Sequence, residues 1–240
     1  MLKLFPALWG TRTPQTTLPR QPWQGEIGLR LRRYFLLKLI GTTCFSCLFF
    51  IGYFYLLHYP AYAVTVMPLS ALDLMIPFQP QLLWVYLSVW VYIGAGPGLQ
   101  LTLAELAAYT FWLVALCVTG LVCFYFWPTQ VPPLTLDASR LPGGFALLRR
   151  VDAAGNACPS LHVAAAIFTA IRVEDVLRWT RSPRFLRLLN LAWFVTIAYS
   201  TLAIKQHVLL DVAAGALLGV VFALPSLRWR PHRTHSSATG

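Results

Sequence analysis

Six apolar runs separated by polar loops constrain this chain more than any other feature. They cover residues 39–58, 82–96, 106–127, 157–171, 188–204 and 208–224. The longer runs match the ~20 residues that an α-helix needs to cross a bilayer, whereas the fourth run is short and rich in alanine. Charged residues make up 11% of the chain, against about 25% in a typical soluble domain. The pattern predicts an all-α integral membrane protein, a six-helix bundle in a single domain.

The net charge of +11 does not indicate nucleic-acid binding, because the positive residues cluster at the ends of the apolar runs. Residues 172–187 hold five arginines, and residues 59–81 hold no lysine or arginine. This asymmetry predicts a multi-pass protein with both termini in the cytoplasm. It divides the chain into a basic arm (1–33), a six-span membrane domain (34–226) and a basic tail (227–240). The basic rim also suits anionic membrane lipids.

Ionisable residues stand out in two places. One is Pro159-Ser160-Leu161-His162, and the other is Lys205-Gln206-His207, followed by Asp211. Ionisable side chains at membrane segments are costly, so they are candidate functional residues. On a helix, His207 and Asp211 share one face, where the carboxylate can fix the tautomer of the imidazole. Two crossings separate His162 from His207, so we expect both at the same face, the outer one by the charge count.

Two histidines and an aspartate suit phosphoryl transfer through a covalent phosphohistidine. One histidine acts as the nucleophile, and a carboxylate at its other ring nitrogen stabilises the positive charge that develops. The second histidine protonates the leaving oxygen. Cationic and hydroxyl donors must also stabilise the phosphate oxygens.

These residues resemble the second and third signature motifs of the type 2 phosphatidic acid phosphatase superfamily. The resemblance covers roughly residues 156–219 and implies a six-helix membrane core that acts on lipid phosphates or pyrophosphates without metal or cofactor. It implies that His207 is the nucleophile, Asp211 its orienting partner, His162 the general acid and Ser160 a phosphate-binding donor. Gly215 and Gly219 are four residues apart, a spacing typical of close helix packing.

Two further features resemble the branch that contains inositol phosphorylceramide synthases. One is Leu161, where phosphatases of the superfamily usually have glycine. The other is the segment Asp73-x-x-Ile76-Pro77-Phe78-x-Pro80. Asp73 itself is either an ordinary loop carboxylate or a structural residue near the site.

The chain departs from the superfamily pattern in its cations. The first motif, a lysine six residues before Arg-Pro, is absent, and Ser200-Thr201 stands where the third motif usually has Ser-Arg. We therefore expect Lys205, Arg149 and Arg150 to bind the phosphate in their place.

Three functions follow as hypotheses. The first is a lipid phosphatase in the plasma (inner) membrane, acting on a lipid phosphate or polyprenyl pyrophosphate at the outer or periplasmic face. The second is a phosphotransferase, in which an alcohol replaces water as the acceptor. The third is a non-catalytic lipid-binding protein that retains the fold. The sequence leaves open the lipid, the acceptor and the oligomeric state.

Overall fold

A computed structural model describes residues 22–133 and 156–229, and this part of the chain is mainly helical. The helices are α1 (Trp23–Arg32), α2 (Phe35–His58), α3 (Ala71–Met75), α4 (Leu83–Leu87), α5 (Val89–Gly98), α6 (Leu103–Phe126), α7 (Leu161–Trp179), α8 (Arg184–Ala203) and α9 (Leu209–Arg228). A 3₁₀ turn (Pro80–Leu82) precedes α4, and two short strands, β1 (Thr65–Val66) and β2 (Thr129–Gln130), pair in parallel.

Four of the described helices, α2, α6, α8 and α9, are long and apolar enough to cross a membrane. The prediction of an all-α membrane protein is therefore confirmed. Helices α4 and α5 are short, and α7 carries several charged residues near its end. The six-span count and the cytoplasmic termini stay predictions.

Helix α7 is the central helix of the described bundle, with α5, α6, α8 and α9 packed around it. It is longer than the sequence indicates, because it continues past residue 171 to Trp179. Arg172, expected to begin a cytoplasmic loop, is instead a buried helical residue. Its guanidinium donates to the Ser226 carbonyl at 2.9 Å and lies over the Tyr109 ring. The neighbouring helices thus provide the polar contacts that lipid would deny this residue.

Helices α7 and α9 approach closely at the two glycines of α9. A Cβ at Gly215 would overlap the Ser160 carbonyl oxygen, and one at Gly219 would overlap the Ala164 carbonyl oxygen. The close packing predicted from their spacing is therefore confirmed.

Residues 94–98 hold three glycines and a proline, a composition typical of a helix break, yet they do not interrupt the helix. Helix α5 continues through Gly96 and Pro97 and ends at Gly98. Gly96 is required there because the Tyr109 hydroxyl of α6 occupies the space of a side chain. Gly96 therefore admits the neighbouring helix α6, and the chain turns only after Gly98.

Residues 23–32 of the basic arm form the helix α1. Arg30 of this helix is fully buried. It pairs with Glu26 at 2.9 Å and with Glu105 at 3.3 Å. Lys38 donates to the Arg30 carbonyl at 2.6 Å and to the Gly98 carbonyl at 2.8 Å. A buried ionic cluster thus fixes α1 against the first turns of α2 and α6.

At the opposite end of the bundle, the strand pair holds the chain that leads into α7. The backbone N–H of Ala157 donates to the Thr129 carbonyl at 3.2 Å. The N–H of Cys158 donates to the Thr129 hydroxyl at 2.8 Å. These contacts determine where α7 begins and so place its first turn, which carries His162.

Candidate active site

Ser160 is the N-cap of α7, and its hydroxyl accepts from the Val163 N–H at 3.4 Å. The residue is completely buried. Its own N–H donates to the Asp211 carbonyl at 3.0 Å, which joins the beginning of α7 to the first turn of α9. Because a hydroxyl can accept and donate at once, the Ser160 proton remains available to an acceptor.

The loop between α8 and α9 carries His207. Lys205 adopts a left-handed conformation with φ of 59° just after α8 ends. This turn reverses the chain, and the His207 N–H then donates to the Thr201 carbonyl at 3.2 Å. His207 therefore lies before α9 and not on it, which corrects the expectation that it shares a helical face with Asp211.

Asp211 reaches back beyond the N-terminus of its helix toward His207. Its Oδ2 accepts from the Val208 N–H at 3.0 Å, as in a capping box. The same oxygen lies 3.6 Å from His207 Nδ1. Among the described residues, Nδ1 has no hydrogen-bond partner. Catalytic hydrogen bonds are often long without substrate, so this separation suits a carboxylate that orients the imidazole.

His162 lies beside His207, although one belongs to the first turn of α7 and the other to the loop before α9. Their ring centroids are 6.0 Å apart, with 58° between the ring planes. The span count predicted that they share one end of the bundle, and the structure does bring them together. One phosphoryl group at this end can contact both rings.

Tyr86 and Trp90 hold the His162 ring, and sequence reasoning missed this role for both. Tyr86 stacks on it at 4.6 Å, and its hydroxyl lies 3.5 Å from His162 Nδ1. The Trp90 ring meets it edge-on at 5.6 Å. Their four-residue spacing places them on neighbouring turns, but nothing in that aromatic-rich segment distinguishes these two rings from ordinary packing residues.

The Lys205 side chain forms hydrogen bonds with two backbone carbonyls near the site. Its ammonium donates to the Asp73 carbonyl at 2.7 Å and to the Ile76 carbonyl at 2.6 Å. Two of its three protons are thus used, and one remains for a phosphate oxygen. Burial lowers the pKa of Lys205 below its usual value, and the nearby Asp73 carboxylate opposes this shift.

Asp73 is a structural residue beside the site, the second of the two roles considered for it. Its Oδ1 accepts from the Leu209 N–H at 2.8 Å, at the N-terminus of α9. Its Oδ2 accepts from the Ser70 N–H at 2.8 Å and caps α3. The carboxylate therefore joins α3 to the helix that follows His207.

Arg149 and Arg150 lie outside the described residues. Ser200 and Thr201, which stand where the superfamily usually has Ser-Arg, are buried, and their hydroxyls donate to backbone carbonyls of their own helix. Within residues 22–133 and 156–229, no three histidine, cysteine, aspartate or glutamate side chains cluster closely enough to bind a metal ion.

The N-termini of α7 and α9 both face this end of the bundle. A helix N-terminus carries a partial positive charge, which favours a bound anion. At α9 the Val208 and Leu209 N–H groups already donate to Asp211 and Asp73. With two adjacent imidazoles and a carboxylate behind one of them, the arrangement suits the transfer of a phosphoryl group.

The family model described as PAP2 superfamily matches residues 82–224 of the chain. The matched region contains Ser160, His162, Lys205, His207 and Asp211. Comparisons with curated proteins and with solved structures gave no match.

Proposed function

The chain belongs to the PAP2 superfamily, which generally comprises phosphoric ester hydrolases and phosphotransferases, and we propose that it is a membrane lipid phosphatase with a phosphohistidine intermediate. Its substrate is a lipid phosphate or a polyprenyl pyrophosphate. The proposal rests chiefly on one observation, the 6.0 Å separation of the His162 and His207 rings.

In the first step, the lone pair of His207 Nε2 attacks phosphorus while Nδ1 faces Asp211. The bond from phosphorus to the lipid oxygen breaks as the P–N bond forms. Protonated His162 gives its proton to the departing oxygen, so the lipid leaves as an alcohol (or, from a pyrophosphate, as a lipid monophosphate). Asp211 stabilises the positive charge on the phosphorylated imidazole.

In the second step, water attacks the phosphohistidine from the side that the lipid has left. Neutral His162 accepts the proton of this water, and the P–N bond breaks to release inorganic phosphate. His207 returns to its neutral form and His162 to its protonated form, so the cycle closes without any other reactant.

Several groups are proposed to bind the phosphate oxygens. They are the N-termini of α7 and α9, the Ser160 hydroxyl, the third proton of Lys205, and the side chains of Arg149 and Arg150. Fixed dipoles and cations of this kind stabilise the charge of a phosphoryl transition state. We further propose that this end of the bundle faces outward from a plasma (inner) membrane, a placement supported by the distribution of arginines in the sequence.

A phosphotransferase is the second candidate, and one observation favours it. The segment that resembles inositol phosphorylceramide synthases packs directly against the His207 loop. Asp73 accepts from Leu209, Lys205 donates to the Asp73 and Ile76 carbonyls, and the Gln79 N–H donates to the Ala203 carbonyl at 2.9 Å. In this alternative, a lipid or polyol hydroxyl takes the place of water in the second step.

The proposed activity can be tested with purified protein in mixed micelles and a panel of lipid phosphates. We expect phosphate release by the native chain and none above background by His207→Ala. His58→Ala is the matched control, because His58 is an exposed histidine at the end of α2 that bonds only to its own helix in the described structure. Equal phosphate release by the native chain and His207→Ala would refute the enzyme hypothesis and leave the non-catalytic alternative.

The acceptor needs a separate experiment. Glycerol, diacylglycerol and ceramide are added in turn with a substrate carrying radiolabelled phosphate. A phosphatase yields free labelled phosphate under all conditions. A transferase moves the label to one of the alcohols, and that product identifies the acceptor class.

A further inference from the structure

A cavity of about 920 Å³ lies between α2, α5, α6 and the beginning of α7. Its volume falls within the ~300–1,000 Å³ typical of ligand sites. The walls are mainly aromatic and aliphatic, and Lys38 is the charged side chain among the described residues that line them. The Lys38 ammonium donates hydrogen bonds to two backbone carbonyls at the end of the cavity away from His162. Such walls favour an apolar occupant.

The cavity reaches the candidate active site from one side. His162, Tyr86 and Trp90 form part of its wall, whereas His207 does not. In the proposed reaction, His162 protonates the oxygen that leaves. The group bonded to that oxygen must therefore depart on the His162 side, where the cavity begins.

The depth of the cavity follows from the two helices that run along it. The Phe50 and Trp90 rings are 5.1 Å apart and mark the level of His162. At 1.5 Å per residue along a helix axis, Gly94 lies about 6 Å from Trp90 in the direction away from His162. Gly41 lies about 13 Å from Phe50 in the same direction. Lys38 lies about 18 Å from Phe50 on the same basis. The cavity is thus at least as deep as one leaflet of a hydrocarbon core that is ~30 Å thick.

Gly94 and Gly41 keep the cavity open at two depths. Both line its wall, and a Cβ built on either glycine meets no neighbouring atom within 4 Å. This contrasts with Gly96, Gly120, Gly215 and Gly219, where a Cβ would overlap a neighbour. A larger side chain at either lining position would therefore take up open space without displacing another helix, and we expect it to narrow the cavity.

We propose that this cavity holds the apolar chain of the leaving lipid, and that Gly94 and Gly41 determine how much of the chain it admits. The inference rests on the proposed function, because the assignment of the leaving side depends on His162 as the acid. The occupant is a long hydrocarbon chain attached to the phosphate oxygen. Residues at the level of Gly94 contact its first part, and those at the level of Gly41 its distal part.

The test uses Gly94→Leu and Gly41→Leu with butyl, decyl and octadecyl phosphate as substrates in mixed micelles. Gly94→Leu is expected to lower kcat/KM for decyl and octadecyl phosphate relative to butyl phosphate by more than about tenfold, since each excluded methylene can cost up to about fourfold. Gly41→Leu is expected to lower this ratio for octadecyl phosphate only.

Gly28→Leu is the matched control. Gly28 lies in α1, where a Cβ likewise meets nothing within 4 Å, but it does not line the cavity. This variant should keep the native chain-length profile. An identical profile in the native chain and all three variants would overturn the proposal, and so would an equal loss on all three substrates in Gly94→Leu.

A second readout separates this proposal from the proposed function. Octadecyl phosphate with a diazirine in its chain is photolysed in the presence of each variant, and the labelled residues are mapped by mass spectrometry. Labelling of the α2, α5 and α6 walls that falls in Gly94→Leu and Gly41→Leu supports chain binding even if no phosphate is released. Labelling confined to the outward faces of α8 and α9 means that the chain stays in bulk lipid, which refutes the proposal.

Discussion

The Lys205 ammonium donates a hydrogen bond of 2.7 Å to the Asp73 carbonyl oxygen. A second bond from the same ammonium reaches Ile76, and the Asp73 carboxylate accepts from Leu209. Lys205 and Asp73 therefore connect the loop before His207, the segment after α3 and the first residue of α9. The cation that the sequence offers as a phosphate ligand also supports the structure of the site.

Replacing Lys205 by methionine should lower both stability and activity. A hydrogen bond from a charged group contributes about 1.5–3 kcal/mol, and two carbonyls lose their donor here. We expect a lower Tm and a lower kcat in Lys205→Met, with partial recovery of Tm in Lys205→Arg. Thermal unfolding and phosphate release measure the two effects. A change in KM with no change in Tm would instead indicate that Lys205 acts only on the phosphate.

Asp211→Asn should separate the two functions of the Asp211 side chain. The amide oxygen can still accept from the Val208 N–H, so the helix cap is kept. The negative charge near His207 is lost, and kcat should fall by up to about 10⁴-fold, the loss found when the orienting aspartate of a Ser-His-Asp triad is replaced by asparagine. Circular-dichroism melting and phosphate release are the measurements.

Asp211→Ala is the companion variant, since it removes both the charge and the cap. It should lose about 1 kcal/mol of stability beyond Asp211→Asn, the typical net contribution of one hydrogen bond. If Asp211→Asn kept native turnover, the carboxylate would be a cap alone.

The order of the apolar runs was sufficient to predict that His162 and His207 lie at the same end of the bundle. Two helices, α7 and α8, separate these histidines along the chain. Both histidines therefore lie at one end of any bundle in which successive helices run in opposite directions. Gly215 and Gly219 could also be predicted, because small residues four apart on a helix indicate close approach. These features depend only on local spacing and on the number of crossings.

Other features depend on contacts that sequence spacing does not encode. The length of α7 was missed because hydropathy falls at Arg172, whereas a central helix can bury that residue against its neighbours. The ionic cluster of Arg30 was missed because a buried arginine and a topology-setting arginine look alike in a sequence. Tyr86 was missed because a tyrosine that contacts a site and one that only packs look alike in a sequence. Its role arises only when its ring packs against His162 at the beginning of α7.

Tyr86→Phe should affect the step in which the lipid oxygen leaves. The ring stack on His162 is retained, but the hydroxyl near its Nδ1 is lost. We expect a loss of about threefold to tenfold in kcat with alkyl phosphates, equivalent to one neutral hydrogen bond. With p-nitrophenyl phosphate, whose leaving group needs little protonation, the loss should be smaller. Equal losses on both substrates would argue against a role in orienting the general acid.

Gly215→Ala should move the beginning of α7 away from α9. The added methyl would overlap the Ser160 carbonyl oxygen, two residues before His162. Overpacking of this kind costs about 1–3 kcal/mol, and the shift should also reduce phosphate release. Gly28→Ala adds the same methyl where nothing lies within 4 Å, so its activity should match that of the native chain. Its Tm should stay native or rise slightly, because alanine is favoured over glycine in a helix by about 1 kcal/mol. A native Tm in Gly215→Ala would mean that the two helices separate freely.

Arg30→Met tests the ionic cluster at the end of the bundle remote from the histidines. It leaves the buried Glu26 and Glu105 carboxylates without their cation, which typically costs about 3–5 kcal/mol. Glu105→Gln in the same chain should restore part of this loss.

Arg178→Met is the control, because Arg178 pairs with Glu174 at an exposed surface, where a pair contributes about 0–1 kcal/mol. Denaturant unfolding in detergent measures these differences. Equal stability of Arg30→Met and Arg178→Met would show that the cluster does not hold α1 in place. Turnover per folded molecule should stay native in both, since the cluster lies at the opposite end of the bundle from His162 and His207.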